Sequence, residues 1–230
     1  VNLPRTSDGQ LLFLQIMMDK MEPNDARIGM VSNGSPLFTG DAGSGESEIR
    51  KYIFENDLLE AMIALPDQMF YNTGISTYLW ILNNKKSAKR KGVVQLIDAS
   101  KMGSDLSKSL GNKRKEISDE ARNKILEIFS NFEKSEKSKI YKNSFFGYNR
   151  VPVLLPEVID GEIQRVKGGK NKGNIKPKQG FKDFERIPLN QNIEEYFQRE
   201  VNPHLKDAYP DKNDIRIGYE INITKYFYKY

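Results

Sequence analysis

The chain contains no cysteine and one histidine among its 230 residues. Disulfides, thiolate metal sites and cysteine nucleophiles are therefore excluded. A single histidine also rules out a multi-histidine metal centre within the chain. A serine–histidine–carboxylate triad would have to use His204, which follows Pro203 just beyond a predicted helix. The Gly-x-Ser-x-Gly elbow that often carries such a serine is missing, so His204 reads as a surface or helix-end residue. No apolar run approaches the roughly 18 residues needed to span a bilayer, and the opening residues do not read as a signal peptide. The ten prolines include no adjacent pair.

What is present argues for a folded chain. Twelve Phe and eleven Tyr are too many for a disordered segment. At roughly 150 residues per domain, the length allows one or two domains with a real core. The net charge of +5 is unevenly spread. Residues 1–60 carry five basic and ten acidic side chains, so the excess of positive charge falls after them. Residues 85–115 hold ten basic residues against Asp98 and Asp105. A second run, 165–182, holds Arg165, Lys167, Lys170, Lys172, Lys176, Lys178 and Lys182 with four glycines and no acid. Such a run reads as a mobile loop with too little apolar surface to pack. It suits either a phosphate-contacting loop, because Lys and Arg displace counterions from nucleic acid, or a solvated linker.

Periodicity then orders the elements. Ser7-Asp8-Gly9-Gln10 fits a capping box ahead of an apolar helix from Leu11, ending near Met21. Arg27–Val31 reads as a short buried strand. Glu46–Asn56 reads as a helix with Ile49, Tyr52 and Ile53 on one face. Leu58–Leu65, Thr77–Leu82 and Gly92–Ile97 read as strands, and the alternation argues for an α/β layer. Past residue 100 the pattern changes. Ser118 is placed to cap a helix with Asp119 and Glu120 in its first turn. Tyr148–Leu155 reads as extended, and Asn190–Val201 as a helix with Ile193, Tyr196, Phe197 and Val201 on one stripe. The end, 215–230, reads as extended. The division expected is 1–100 as an α/β domain and 101–230 as a mostly helical, irregular region.

Two segments invite a functional reading. Asp41-Ala42-Gly43-Ser44-Gly45 has the acidic-x-Gly-x-Gly form of a nucleotide or S-adenosylmethionine cradle. It lacks a buried strand directly before it, so the favoured reading is a flexible loop before a helix. Phe70-Tyr71-Asn72-Thr73-Gly74 lies between two predicted strands. It is either an ordinary hairpin loop or a pair of aromatics able to stack on a base beside hydrogen-bonding side chains.

Taken in order, several blocks form a resemblance. They are Gly29-Met30-Val31-Ser32-Asn33-Gly34, Leu37-Phe38 and Glu48-Ile49-Arg50-Lys51. They continue with Asp57 to Pro66, Phe70 to Ile75, Leu79 to Asn83 and Ile97-Asp98-Ala99-Ser100. The tail adds Phe146-Gly147-Tyr148, Ile217 to Ile221 and Tyr226-Phe227-Tyr228. Nearly the whole chain resembles the C-terminal part of the modification subunit of type I restriction-modification systems, which are N6-adenine DNA methyltransferases.

The resemblance implies the later strands of a class I methyltransferase sheet, whose last strand is antiparallel. The family's catalytic Asn-Pro-Pro-Phe/Tyr motif is absent, and its cofactor glycine motif would lie further upstream, which makes Asp41–Gly45 a decoy. The chain is thus expected to be a fragment, inactive alone, without catalytic residues or metal. S-adenosylmethionine would serve the full-length enzyme. Phe70, Tyr71, Asn72, Thr73 and Gly74 would lie near the extruded adenine. The seven basic residues of 165–182 would touch the DNA backbone. Ile193, Tyr196, Phe197 and Val201, with the tail, would dock on the specificity subunit. The implied partners are double-stranded DNA, the specificity subunit, a second modification subunit and the restriction subunit, in the cytoplasm. Two other classes remain open: a stand-alone nucleic-acid-binding module and a purely structural interaction domain.

Overall fold

The computed structural model describes residues 2–228, which divide into two compact units. Of the described residues, the first comprises 2–146 and 219–228, and the second 147–218. Unit 1 therefore leaves and returns, with unit 2 inserted between. The boundary expected at residue 100 falls inside unit 1, because a strand beyond it pairs with the sheet.

Unit 1 runs α1 (Gln10–Asp19), β1 (Arg27–Ser32), α2 (Ser35–Phe38), α3 (Gly45–Glu55), β2 (Leu59–Ala64), β3 (Tyr78–Asn83) and β4 (Val93–Asp98). A hairpin follows, β5 (Ser104–Leu110) and β6 (Lys113–Glu116), then α4 (Asp119–Asn131) and β7 (Ser138–Lys142). The sheet order is β1-β3-β2-β4-β7. β3 is antiparallel to both β1 and β2, whereas β2 and β4 are parallel. β1, β2 and β4 therefore point one way and β3 points back between two of them. β2 is buried along its whole length, as expected of a strand covered on both faces. Ile63, Ile97 and Ala99 pack with Ile125 of α4 on one face. Alternation puts Met62 and Ala64 on the other. On β3, Trp80 is fully buried and its Nε1 donates to Ser32 Oγ at 2.9 Å.

Local chemistry sets most boundaries. Ser118 Oγ accepts from Ala121 N at 3.2 Å, capping α4 as its position suggested. At α1 the capping box does not form. Gly9 occupies the cap position with no side-chain cap, and Asp8 accepts from Gln10 N at 3.2 Å instead. Asp8 is itself held by Ser35 Oγ at 2.6 Å. On α3, Ile49 and Ile53 are buried but Tyr52 is exposed. Arg50 and Phe54 take the inward positions instead, where the returning tail meets the helix. Arg50 donates to the carbonyls of Tyr219, Pro36 and Gly40. Phe54 stacks between Phe146 and Tyr219, at centroid distances of 4.7 and 5.3 Å.

Unit 2 is built on β8 (Gly147–Leu154), which pairs antiparallel with 183–188 and 209–210. The helix expected over 190–201 spans Ile193–Val201, its second half wound as a π-helix. Among the described residues after 100 there is thus one helix longer than ten residues, and more strand than helix. The tail is not uniformly extended: a short strand, Arg216–Tyr219, precedes a helical turn, Ile223–Phe227. Lys229 and Tyr230 lie outside the described residues.

Candidate nucleic-acid interface

The aromatic loop joins β2 to β3 on unit 1. Pro66 stops β2, and Phe70 and Thr73 bridge each other across the tip. Tyr71 is 60% exposed and Phe70 39%. Asn72 and Gly74 are exposed and Thr73 is half-buried. The two aromatics are therefore not tucked over the sheet. The loop chemistry is that of a stacking surface with amide and hydroxyl groups beside it.

The loop does not stand alone. The β5–β6 hairpin is laced to it through the backbone. Asn112 N donates to Tyr71 O at 2.9 Å, and the N–H groups of Arg114 and Lys115 both donate to Gln68 O, at 3.0 and 3.2 Å. Lys115 forms a 2.6 Å ion pair with Asp67. The Lys113 ammonium sits 5.3 Å from the centre of the Tyr71 ring, within cation–π range. Gly111, at φ +64°, makes the tight turn, and a Cβ there would lie 2.8 Å from Tyr71 O. Sequence reasoning missed this hairpin because Ser104–Leu110 lacks apolar alternation. Its Gly111-Asn112 turn, between two strands, was the available signal.

Several cations of the 85–115 run have internal duties. Lys86 is buried, pairing with Asp57 at 2.6 Å and donating to Val93 O at 3.0 Å. Burial pushes the Lys86 ammonium below its ordinary range despite that pair. Burial would raise the Asp57 carboxyl, but bonds from Lys86, Gly92 N and Asn143 hold it below the usual carboxylate value. Arg90 is buried between the rings of Phe129 and Phe132, each centred 4.2 Å away, and its Nη1 donates to Gln95 Oε1 at 3.1 Å. It also approaches the buried Glu60, which takes a hydrogen bond from Asn83 at 3.1 Å. The charge count thus overstates the free positive surface.

The Asp41–Gly45 loop leads directly into α3. Ser44 caps that helix, its Oγ accepting from Ser47 N at 3.3 Å. A Cβ on Gly45 would lie 1.7 Å from Leu3 O, so this glycine admits a crossing backbone rather than a ligand.

On unit 2, the basic stretch is a hydrogen-bonded excursion rather than a featureless loop. Arg165 bridges Ile175, and Val166 N donates to Asn174 O at 3.0 Å. Arg165 Nη1 donates to Gly173 O at 2.8 Å, and Lys176 pairs with Glu157 at 2.6 Å. Lys167, Lys170, Lys172, Lys178 and Lys182 are exposed. The stripe Ile193, Tyr196, Phe197 and Val201 faces inward. Phe197 and Val201 are buried with Val151, Val153, Ile187 and Ala208, and Ile193 and Tyr196 pack against that cluster. Phe197 and Val201 are therefore core, and Ile193 and Tyr196 are half-buried against it, which leaves little of this stripe to a partner.

No group of metal-ligating side chains occurs among the described residues, and no described helix is long and apolar enough to cross a membrane.

The strand order, with one antiparallel strand between two that run together, is that of the later part of a class I methyltransferase sheet. The sequence profile of the N-6 DNA Methylase family matches residues 1–145, and the chain belongs to that family. It is 40% identical over 100 residues to the type I restriction enzyme HindI methylase subunit of Haemophilus influenzae, covering 44% of this chain and 21% of that protein. It is 29% identical over 136 residues to the MjaIX methylase subunit of Methanocaldococcus jannaschii, covering 59% of this chain and 23% of that one. The crystal structure of the type I restriction-modification system methyltransferase subunit from Streptococcus thermophilus superposes with a TM-score of 0.53 at 25% identity, covering 61% of this chain and 28% of that chain. The matched part spans less than a quarter of the length of the two curated relatives.

Proposed function

We propose that this chain supplies the closing strands and the base-side loop of a type I DNA adenine-N6 methyltransferase. The observation that carries the reading is the β1-β3-β2 order, with β3 antiparallel to both neighbours and β1 at the sheet's edge. An edge strand with Ile28 buried and Val31 exposed offers its free side to a further strand. That strand would belong to the part of the sheet that carries the cofactor glycines and the Asn-Pro-Pro motif. When bound there, S-adenosylmethionine supplies the methyl group. This chain's residues would stack against the extruded adenine through Phe70 and Tyr71, with Asn72 and Thr73 as hydrogen-bonding neighbours.

The exposed lysines of 165–182 would lie along DNA phosphates. The specificity subunit would dock on the outward side of the segment 190–201 and on the tail, with a second modification subunit and the restriction subunit completing a cytoplasmic complex. Deleting 188–230 would remove Phe197 and Val201 from the core of unit 2 and the tail from unit 1, so docking is better tested by substitutions at exposed Gln198 and Arg199.

The direct test is methyl transfer from radiolabelled S-adenosylmethionine to duplex DNA. The chain alone should transfer nothing. Combined with a polypeptide bearing the glycine and Asn-Pro-Pro motifs and with the specificity subunit, it should restore transfer, and Phe70→Ala with Tyr71→Ala should abolish it. Transfer by the chain alone, or full transfer without it, would overturn the reading.

A further inference from the structure

We infer that the β5–β6 hairpin is the second half of the base-side site, with Lys113 as its contact to the phosphate backbone flanking the extruded base. This rests on the reading of the chain as part of a DNA adenine methyltransferase. It concerns a segment that the charge pattern places at the end of the basic run 85–115 without tying it to the aromatic loop.

Three observations carry it. The hairpin has little packing reason to exist where it does. Along β5 and β6 every residue is exposed or half-buried, and Leu110 at the turn is 47% exposed. Its main ties are instead to the aromatic loop, through the Asn112, Arg114 and Lys115 N–H groups and the Lys115–Asp67 pair. Those ties fix the backbone on either side of Phe70 and Tyr71. A long exposed loop would otherwise lose conformational freedom on gripping a base, and the hairpin removes that cost beforehand.

The charge is also placed by geometry. Side chains alternate along β6, so Lys113 and Lys115 share the half-buried face and Arg114 and Glu116 the exposed one. Lys115 is neutralised by Asp67. Lys113 is in no ion pair among the described residues and stands over the ring of Tyr71, a residue 60% exposed. A base stacked on Tyr71 brings its own phosphates within reach of that ammonium. Of the hairpin's carboxylates, Glu116 alternates to the exposed side of β6, and Asp105 stands opposite Lys115, at the end of the hairpin away from the turn.

Gly111 ties the two features together. It holds φ +64° and leaves room only for hydrogen against Tyr71 O. A side chain there would separate hairpin from loop without changing any charge.

The test uses the full 230-residue chain and a fluorescently labelled duplex carrying 2-aminopurine opposite an abasic site. Binding is followed by anisotropy from 50 to 200 mM salt, with melting temperatures checked for every variant. Wild type should bind with a salt-dependent affinity. Lys113→Gln should lower the slope of log affinity against log salt by roughly 0.9, the value of one phosphate contact. Arg114→Gln, the same charge change on the other face, should leave the slope unchanged. Gly111→Ala should weaken binding several-fold at the wild-type slope. An unchanged slope for Lys113→Gln, or an equal fall for Arg114→Gln, would overturn the assignment, as would a wild-type chain that fails to bind this probe. Should Gly111→Ala fail to fold, the Lys113 and Arg114 pair decides alone. Failure here leaves the methyl-transfer result untouched, so the two readings fall separately.

Discussion

Arg50 sits on α3 with no solvent exposure, and three carbonyls from two distant stretches of chain converge on it. A guanidinium is suited to this because its donors fan out in one plane. Arg50→Ala would strand those carbonyls, and we expect a loss of about 3–5 kcal/mol of unit 1 stability, read as a shift in the urea midpoint. A loss under about 1 kcal/mol would mean that the tail is not anchored through this residue. Tyr226 is the tail's second anchor, 5.4 Å from Tyr141 and 5.2 Å from Phe145 between ring centres. Burial, aided by the charge of Glu220, pushes its phenol up to about 12. Its folded-state pKa is thus raised above the ordinary value near 10. The stability it contributes is present below pH 10 and is lost as the pH climbs from about 10 to about 12. Tyr226→Phe should flatten that part of the alkaline melting curve. An identical alkaline limb in the variant would contradict the burial of this phenol.

At the scale of elements, the strands with strong hydrophobic runs were legible from sequence to within a residue or two. Leu59–Ala64 is buried throughout and Val93–Asp98 in all but its two end residues, and their composition says so. The elements that escaped are those whose order comes from backbone bonds to other segments. Ser104–Leu110 is polar and exposed, and the hairpin it forms with Lys113–Glu116 is held to the aromatic loop through Asn112, Arg114 and Lys115, more than 40 residues further along the chain than Gln68 and Tyr71. The stripe of the Ile193–Val201 helix was read correctly as apolar, but periodicity cannot tell whether such a face meets its own core or another protein. Within the basic stretch, sequence could not separate Lys176, which Glu157 holds, from the five lysines that project freely. That distinction sharpens a prediction. Replacing Lys167, Lys170, Lys172, Lys178 and Lys182 by Gln should lower the salt slope of DNA binding by the assembled enzyme, and Lys176→Gln alone should not. An unchanged slope for the fivefold variant would reduce the stretch to a linker.

At the scale of the molecule, the chain order hides the architecture. Unit 1 closes only when residues 219–228 return to α3 and to the aromatic cluster around Phe146, and no local pattern announces that return. The candidate site was half legible. Phe70 and Tyr71 were visible as unusual loop residues, while the strut that fixes them was not. The central proposal is that this loop faces the target base. The most direct measurement is photo-crosslinking of the assembled methyltransferase to DNA carrying 5-iodouracil in place of the target adenine, with the attachment site mapped by mass spectrometry. The account predicts attachment at Tyr71 or Phe70, lost when both are alanine. Attachment confined to other segments, with none in residues 66–77, would contradict it.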